Sequence, residues 1–165
     1  GSGAEAIHKI LKGMNLKKGS QCFHRAYLWA FDTSTKQNLF TEKAFLFFTP
    51  KYIRQYRYKW WFHVAPLLRN PLAPDQDRMI DPWFLTGPRP IQRWTDEFMK
   101  NKAVCPVIPV YVAHDQHYAD GWCYMRITPM YYYHPNTVAL ADLEGRIETE
   151  FEERGLKYSE AAARR

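Results

Sequence analysis

The stretch of sequence that decides the fold is Ser20-Gln21-Cys22-Phe23-His24-Arg25-Ala26-Tyr27-Leu28-Trp29-Ala30-Phe31. The segment before it ends in Lys17-Lys18-Gly19, and Ser20 is a good N-cap for a helix that begins at Gln21. Cys22 would then lie in the first turn, where unpaired backbone N–H groups and the helix dipole favour a thiolate. The sequence therefore predicts a helix that carries a nucleophilic cysteine.

Length and composition indicate one packed domain. The chain has 165 residues, of which 46% are hydrophobic and 16% aromatic, so a core can be buried without metals or disulfides. No apolar run approaches the roughly 20 residues that span a bilayer, so no membrane span is expected. The N-terminus lacks a signal-peptide layout, and we interpret Gly1-Ser2-Gly3 as a cloning scar.

The net charge of +6 suits an acidic partner, whether nucleic acid, anionic lipid or protein, but simple solubility is the preferred interpretation. Residues 52–60 interleave basic and aromatic side chains, as proteins that bind single-stranded nucleic acids do. A half-buried strand with one wet face shows the same alternation, and we favour that interpretation. Nucleic acid is therefore not expected as a partner.

The remaining pattern predicts an α+β fold with an antiparallel sheet packed on the central helix that bears Cys22. Strands are predicted over 44–49, 56–68, 78–81, 104–113 and 121–128, and helices over 4–16, 91–100 and from 138 onward. Pro50 stops the first strand. In the second, the two-residue period places Trp60 and Phe62 on one face and Trp61 and His63 on the other.

A cysteine nucleophile needs a base within hydrogen-bond reach and a third group that orients the base. His63 lies in a predicted strand, and Asp81 ends the next one. Two strands joined by a turn can lie side by side, so His63 and Asp81 are expected to meet, with the Cys22 helix packed onto them. This order of Cys, His and Asp is that of transglutaminase-like and papain-like folds.

The other cysteines allow two interpretations. An odd count of three is compatible with a Cys105–Cys123 bridge and a free Cys22 in an exported protein, and equally with three reduced thiols in a cytosol. The segment His114-Asp115-Gln116-His117 lies between these cysteines but lacks the paired close ligands of common zinc sites. We interpret it as a polar loop, and no metal or cofactor is expected.

Four short motifs in order resemble the bacterial protein-glutaminase family: Cys22-Phe23-His24-Arg25-Ala26, Trp60-Trp61-Phe62-His63-Val64-Ala65, Met79-Ile80-Asp81-Pro82, and Gly87-Pro88 followed by Trp94. The resemblance implies a transglutaminase-like fold that deamidates protein glutamines with Cys22 as nucleophile, His63 as base and Asp81 as orienting carboxylate. The chain departs from secreted members in its few cysteines and from some members in Trp83.

The resemblance runs from Cys22 to about Trp94, and we expect a catalytic domain at 4–137 with an amphipathic helix at 138–165 that packs on it or extends from it. The resemblance implies a protein substrate with an exposed glutamine. The Cys22 backbone N–H is expected to donate one hydrogen bond to the oxyanion, and the candidates for the second donor are Gln21, Trp60 and Trp61. A cysteine protease, a transglutaminase and a non-catalytic basic binding module remain alternatives. We expect a monomer that is secreted or delivered into a target cell as a toxin or effector, with an inhibitory pro-segment or an immunity protein as partner.

Overall fold

The computed structural model describes residues 3–5, 8–9, 40–113 and 120–163, with the backbone alone at 40 and 156–163. Its centre is a four-stranded antiparallel sheet in the order β3-β2-β1-β4, made of β1 (Phe40–Phe48), β2 (Phe62–Arg69), β3 (Arg78–Met79) and β4 (Cys123–Pro129). The helices bounded within these ranges are α1 (Pro50–Tyr56), α2 (Ile91–Phe98), α3 (Pro135–Leu143) and α4 (Arg146–Ala163), with a 3₁₀ turn at Pro74–Gln76. The predicted α+β class is confirmed. The predicted Cys22 helix, including Gln21, lies outside the described residues.

Strand β1 lies between β2 and β4 and is buried on both faces, so its alternate side chains build two cores. The first core cluster joins Ala44 and Leu46 to side chains of β2, α1 and α2, namely Ala65, Leu67, Tyr52, Trp94 and Phe98. The second core cluster joins Phe45 and Phe47 to side chains of α3 and α4, namely Val138, Ala141 and Ile147. The sheet is therefore covered by helices on both faces.

The alternating segment 52–60 begins in the helix α1 and leaves it at Arg57 without entering a strand, so the predicted half-buried strand is wrong. Thr49 caps α1, because its hydroxyl oxygen accepts a hydrogen bond from the Tyr52 N–H at 3.3 Å, and Pro50 occupies the first turn. Arg57 ends the helix in the left-handed region at φ 50°. Thr-Pro is a helix-start signal, but from the sequence Pro50 is predicted only to stop the preceding strand.

The predicted faces of Trp60 and Trp61 are also wrong, because β2 begins only at Phe62 and the two-residue period does not extend back to them. Trp60 packs against the first core cluster. Trp61 instead contacts Phe47, which belongs to the second core cluster, with ring centroids 6.4 Å apart.

The segment predicted as a strand over 104–113 has only a single bridge, between Val107 and Met125 of β4. Its buried side chains are Cys105, Ile108 and Tyr111, one in every three. A three-residue period is typical of an extended polyproline-type segment, and Pro106 and Pro109 favour that conformation over a sheet strand.

Cys105 forms a disulfide with Cys123, so of the two interpretations of the cysteines the bridged one is correct for this pair.

The C-terminal part forms two helices rather than the single one predicted from residue 138. α3 ends at Leu143 and α4 begins at Arg146, with Gly145 between them at φ +67°, a conformation that favours glycine. Leu143, predicted on the apolar face, is 84% exposed, while Ile147 is buried in the second core cluster. The boundary at 137/138 stays a prediction.

No helix in the described ranges is both long enough and apolar enough to cross a membrane.

Thr49 joins α1 to the loop before β4, since its hydroxyl also donates to the Gly121 carbonyl. We expect Thr49→Val to lower the free energy of unfolding by about 1–3 kcal/mol, because the buried groups lose their partner. Thr49→Ser, which keeps the hydroxyl, should stay closer to the wild type. Urea unfolding of the three proteins tests this, and a valine variant as stable as the wild type would contradict it.

Lys43 is a buried cation of β1 on the side of the second core cluster. Its Nζ donates to the Tyr132 carbonyl and lies 3.3 Å from the centroid of the Tyr133 ring. Burial lowers the pKa of Lys43 to about 7. Above that pH the unfolded chain holds the proton more tightly than the folded chain does, so this group makes stability rise with pH.

Between pH 7 and 9 we therefore expect the free energy of unfolding of the wild type to rise relative to Lys43→Met. The slope of that difference should approach about 1 kcal/mol per pH unit. Below pH 7 the difference should level off, because both states are then protonated. Chemical unfolding of both proteins across this range measures the slope, and parallel pH profiles would refute the assignment.

Candidate active site

The structure brings His63 and Asp81 into contact. His63 lies in β2 opposite Leu46 of β1, on the sheet face of the first core cluster. Its Nε2 is 2.8 Å from Oδ2 of Asp81, and the two side chains are 19% and 8% exposed. The pair is therefore largely withdrawn from water while the imidazole keeps some access to solvent.

The backbone after β3 places the carboxylate. β3 pairs with β2 through Leu67 and Met79, and the Ile80 N–H donates to the Pro66 carbonyl at 3.0 Å. β3 ends at Met79, two residues earlier than predicted. The Asp81 carbonyl accepts hydrogen bonds from the N–H groups of Phe84 and Leu85, so Asp81 opens a turn instead of continuing the strand.

A third residue, whose role is not predicted from the sequence, joins this pair. Trp94 is fully buried on α2, and its Nε1 donates to the same Asp81 Oδ2 at 2.9 Å. The sequence offers only a general indication of this role, namely that a buried tryptophan usually needs a partner for its indole N–H. The helix itself is as predicted in position, although it ends at Phe98 rather than at residue 100.

Aromatic rings enclose the imidazole of His63. Trp60 lies nearly parallel to it, with ring centroids 5.6 Å apart and an interplanar angle of 13°. Phe98 is at 4.4 Å, and Phe84 stands edge-on at 5.2 Å. This enclosure limits the access of water to the imidazole. Trp61 does not take part, since its ring contacts Phe47, Phe62 and His134.

The hydrogen bonds decide which nitrogen of His63 is left for chemistry. An ionised carboxylate only accepts, so with Asp81 ionised the proton between the two residues lies on Nε2. Nδ1 is then the nitrogen that can take a proton from another group. Within the described ranges, the imidazole of His63 has no other hydrogen bond, and no cluster of three or more His, Cys, Asp or Glu side chains could hold a metal ion.

A histidine oriented by a buried carboxylate is the acid–base half of many hydrolases and acyl transferases. A family model described as glutaminase, of the glutamine-deamidase type, matches residues 12–98, more than half of the chain. The chain therefore belongs to the protein-glutamine deamidase family, and deamidation by an amidohydrolase is its general activity. No curated protein and no solved structure matches significantly. The transglutaminase-like core stays a prediction.

The matched range contains each predicted site residue and ends at the last residue of α2. It includes Cys22 and Gln21, which lie outside the described residues, together with His63, Asp81 and Trp94. The disulfide, β4, α3 and α4 lie beyond it.

Phe84 is 40% exposed and covers one edge of His63. We expect Phe84→Ala to increase the rate at which diethylpyrocarbonate modifies His63 several-fold, because the ring becomes more accessible. Peptide mapping by mass spectrometry measures the rate at this histidine alone. Leu72→Ala, which removes an exposed apolar side chain from another turn, serves as control, and equal rates in the two variants would contradict the assignment.

Proposed function

We propose that this protein hydrolyses the side-chain amide of glutamine in protein substrates through a thioester on Cys22. His63 is the acid and base in this proposal, and Asp81 orients it. The observation that carries the proposal is the 2.8 Å contact between His63 Nε2 and Asp81, within a segment that matches the glutaminase family. That contact leaves Nδ1 for the thiol, as a cysteine nucleophile requires.

The first half of the reaction forms the thioester. His63 Nδ1 takes the proton of the Cys22 thiol, and the sulfur bonds to the carboxamide carbon of glutamine. The resulting imidazolium is stabilised by the carboxylate of Asp81 and by the ring face of Trp60. When the carbon–nitrogen bond breaks, His63 returns the proton to the nitrogen, and ammonia leaves.

The second half consumes water. His63 removes a proton from a water molecule as its oxygen bonds to the thioester carbon. The carbon–sulfur bond then breaks, the thiol recovers the proton, and glutamate is released. The aromatic rings around His63 limit the number of waters near the intermediate, which supports one positioned water over free solvent access.

The oxyanion of each tetrahedral intermediate needs two donors. We propose the Cys22 backbone N–H as one of them, with Gln21, Trp60 or Trp61 as candidates for the other. Of the two tryptophans, the contacts favour Trp60, because it adjoins His63 while Trp61 packs on the other face of the sheet.

The Cys105–Cys123 disulfide supports a proposed location in an oxidising environment, as expected of a secreted protein or one delivered into a target cell. An effector or toxin role, with an immunity protein or an inhibitory pro-segment as partner, belongs to the same proposal.

The test is release of ammonia from an unfolded, glutamine-rich protein such as casein. Cys22→Ala should release none above the uncatalysed background, and Asp81→Asn should lower kcat by about 10²–10⁴-fold, because the imidazole loses the charge that orients it. Mass spectrometry of the substrate should show the small mass increase of an amide that becomes an acid.

Two controls complete the experiment. The double variant Cys105→Ser/Cys123→Ser removes the other two cysteines. If this variant is folded and still active, the nucleophile is Cys22. Cleaved substrate chains would instead indicate a protease, and cross-linked chains a transglutaminase. Ammonia release by Cys22→Ala equal to that of the wild type would end the proposal.

A further inference from the structure

Trp94 lies behind the proposed catalytic pair, on the side of Asp81 away from solvent. We propose that Trp94 is a positioning residue: its indole N–H fixes the Asp81 oxygen that orients His63. This inference rests on the proposed function for its effect on the reaction, but the arrangement itself can be tested without turnover.

His63 and Trp94 share one oxygen of Asp81. Oδ2 of Asp81 accepts from His63 Nε2 at 2.8 Å and from Trp94 Nε1 at 2.9 Å. An indole nitrogen can only donate, so this oxygen accepts from Trp94, and with Asp81 ionised it accepts from His63 as well. An ionised Asp81 has no proton to give, so His63 is then held with its proton on Nε2, and Nδ1 is left for other groups.

The second step concerns rotation of the carboxylate. The Asp81 side chain is 8% exposed, so few waters can replace a lost donor. With Trp94 in place, the carboxylate is held from two elements, β2 through His63 and α2 through the indole. Without the indole N–H, the carboxylate keeps one hydrogen bond from the described residues, and it can turn about its last torsion angle, which has a broad energy minimum.

A purely structural role is the competing explanation, because Trp94 also fills the first core cluster and packs on Phe98 at 5.7 Å. Packing alone would make Trp94 matter for stability but not for the tautomer of His63. The hydrogen bond predicts both effects. The two explanations therefore differ in a quantity that can be measured directly.

The decisive experiment replaces the N–H and keeps the shape. Site-specific incorporation of β-(3-benzothienyl)alanine at position 94 exchanges the indole N–H for sulfur in a ring of nearly equal size, and Trp94→Phe is the simpler variant. We expect kcat for ammonia release to fall about 10- to 100-fold with little change in KM, because a hydrogen bond to a charged group is lost while the substrate contacts stay.

The second measurement is the ¹⁵N chemical shifts of the His63 ring, assigned with His63→Gln. In the wild type, at a pH where the ring is neutral, we expect the proton on Nε2. In both position-94 variants we expect an appreciable population protonated on Nδ1. An unchanged tautomer together with unchanged kcat in a folded benzothienyl variant would overturn the proposal.

Tyr52→Phe is the matched control. The Tyr52 hydroxyl is buried in the same cluster, donates to the Phe98 carbonyl at 2.7 Å and accepts from the Lys100 N–H at 2.9 Å, so its loss weakens the end of α2 without touching the indole. We expect this variant to be less stable but to keep kcat and the tautomer. If Cys22→Ala retains activity, the proposed function fails, while the ring shifts still decide the role of Trp94.

Discussion

One carboxylate oxygen, Oδ2 of Asp81, receives hydrogen bonds from a strand and from a helix, and the arrangement of the site depends on it. The strand supplies His63 and the helix supplies Trp94, and neither is adjacent to Asp81 in sequence. The backbone contacts of residues 79–81 with β2 and with Arg89 set where this oxygen lies. A change in those pairings would therefore displace both partners of the carboxylate at once.

The two faces of the sheet have different contents. The face of the first core cluster carries the histidine, its carboxylate and the enclosing rings, while the other face is covered by α3 and α4. The second face is fixed by polar contacts as well as by packing, since Arg126 of β4 binds both carboxylate oxygens of Asp142 on α3 at 2.9 and 2.6 Å. The helices added after β4 thus support the sheet from behind the site.

The sequence was sufficient to predict the contact of His63 with Asp81, because a strand, a turn and a second strand limit where the two side chains can lie. It was not sufficient for α1, because alternating basic and aromatic residues fit a strand as well as a helix, and the cap at Thr49 decides between them. The role of Trp94 depends on a contact between distant elements, which no local pattern records. The placement of Cys22 stays a prediction.

The pairing of β1 with β4 has a consequence for how the protein is made. β1 lies between β2 and β4 and contributes side chains to both core clusters. Its partner β4 begins only at Cys123, well after the family-matched segment ends at residue 98. A ribosome releases the chain from its N-terminus, so the sheet is incomplete until β4 emerges. We therefore expect the nascent chain to remain without a finished hydrophobic interior until late in synthesis, which would delay the onset of enzymatic competence in the producing cell.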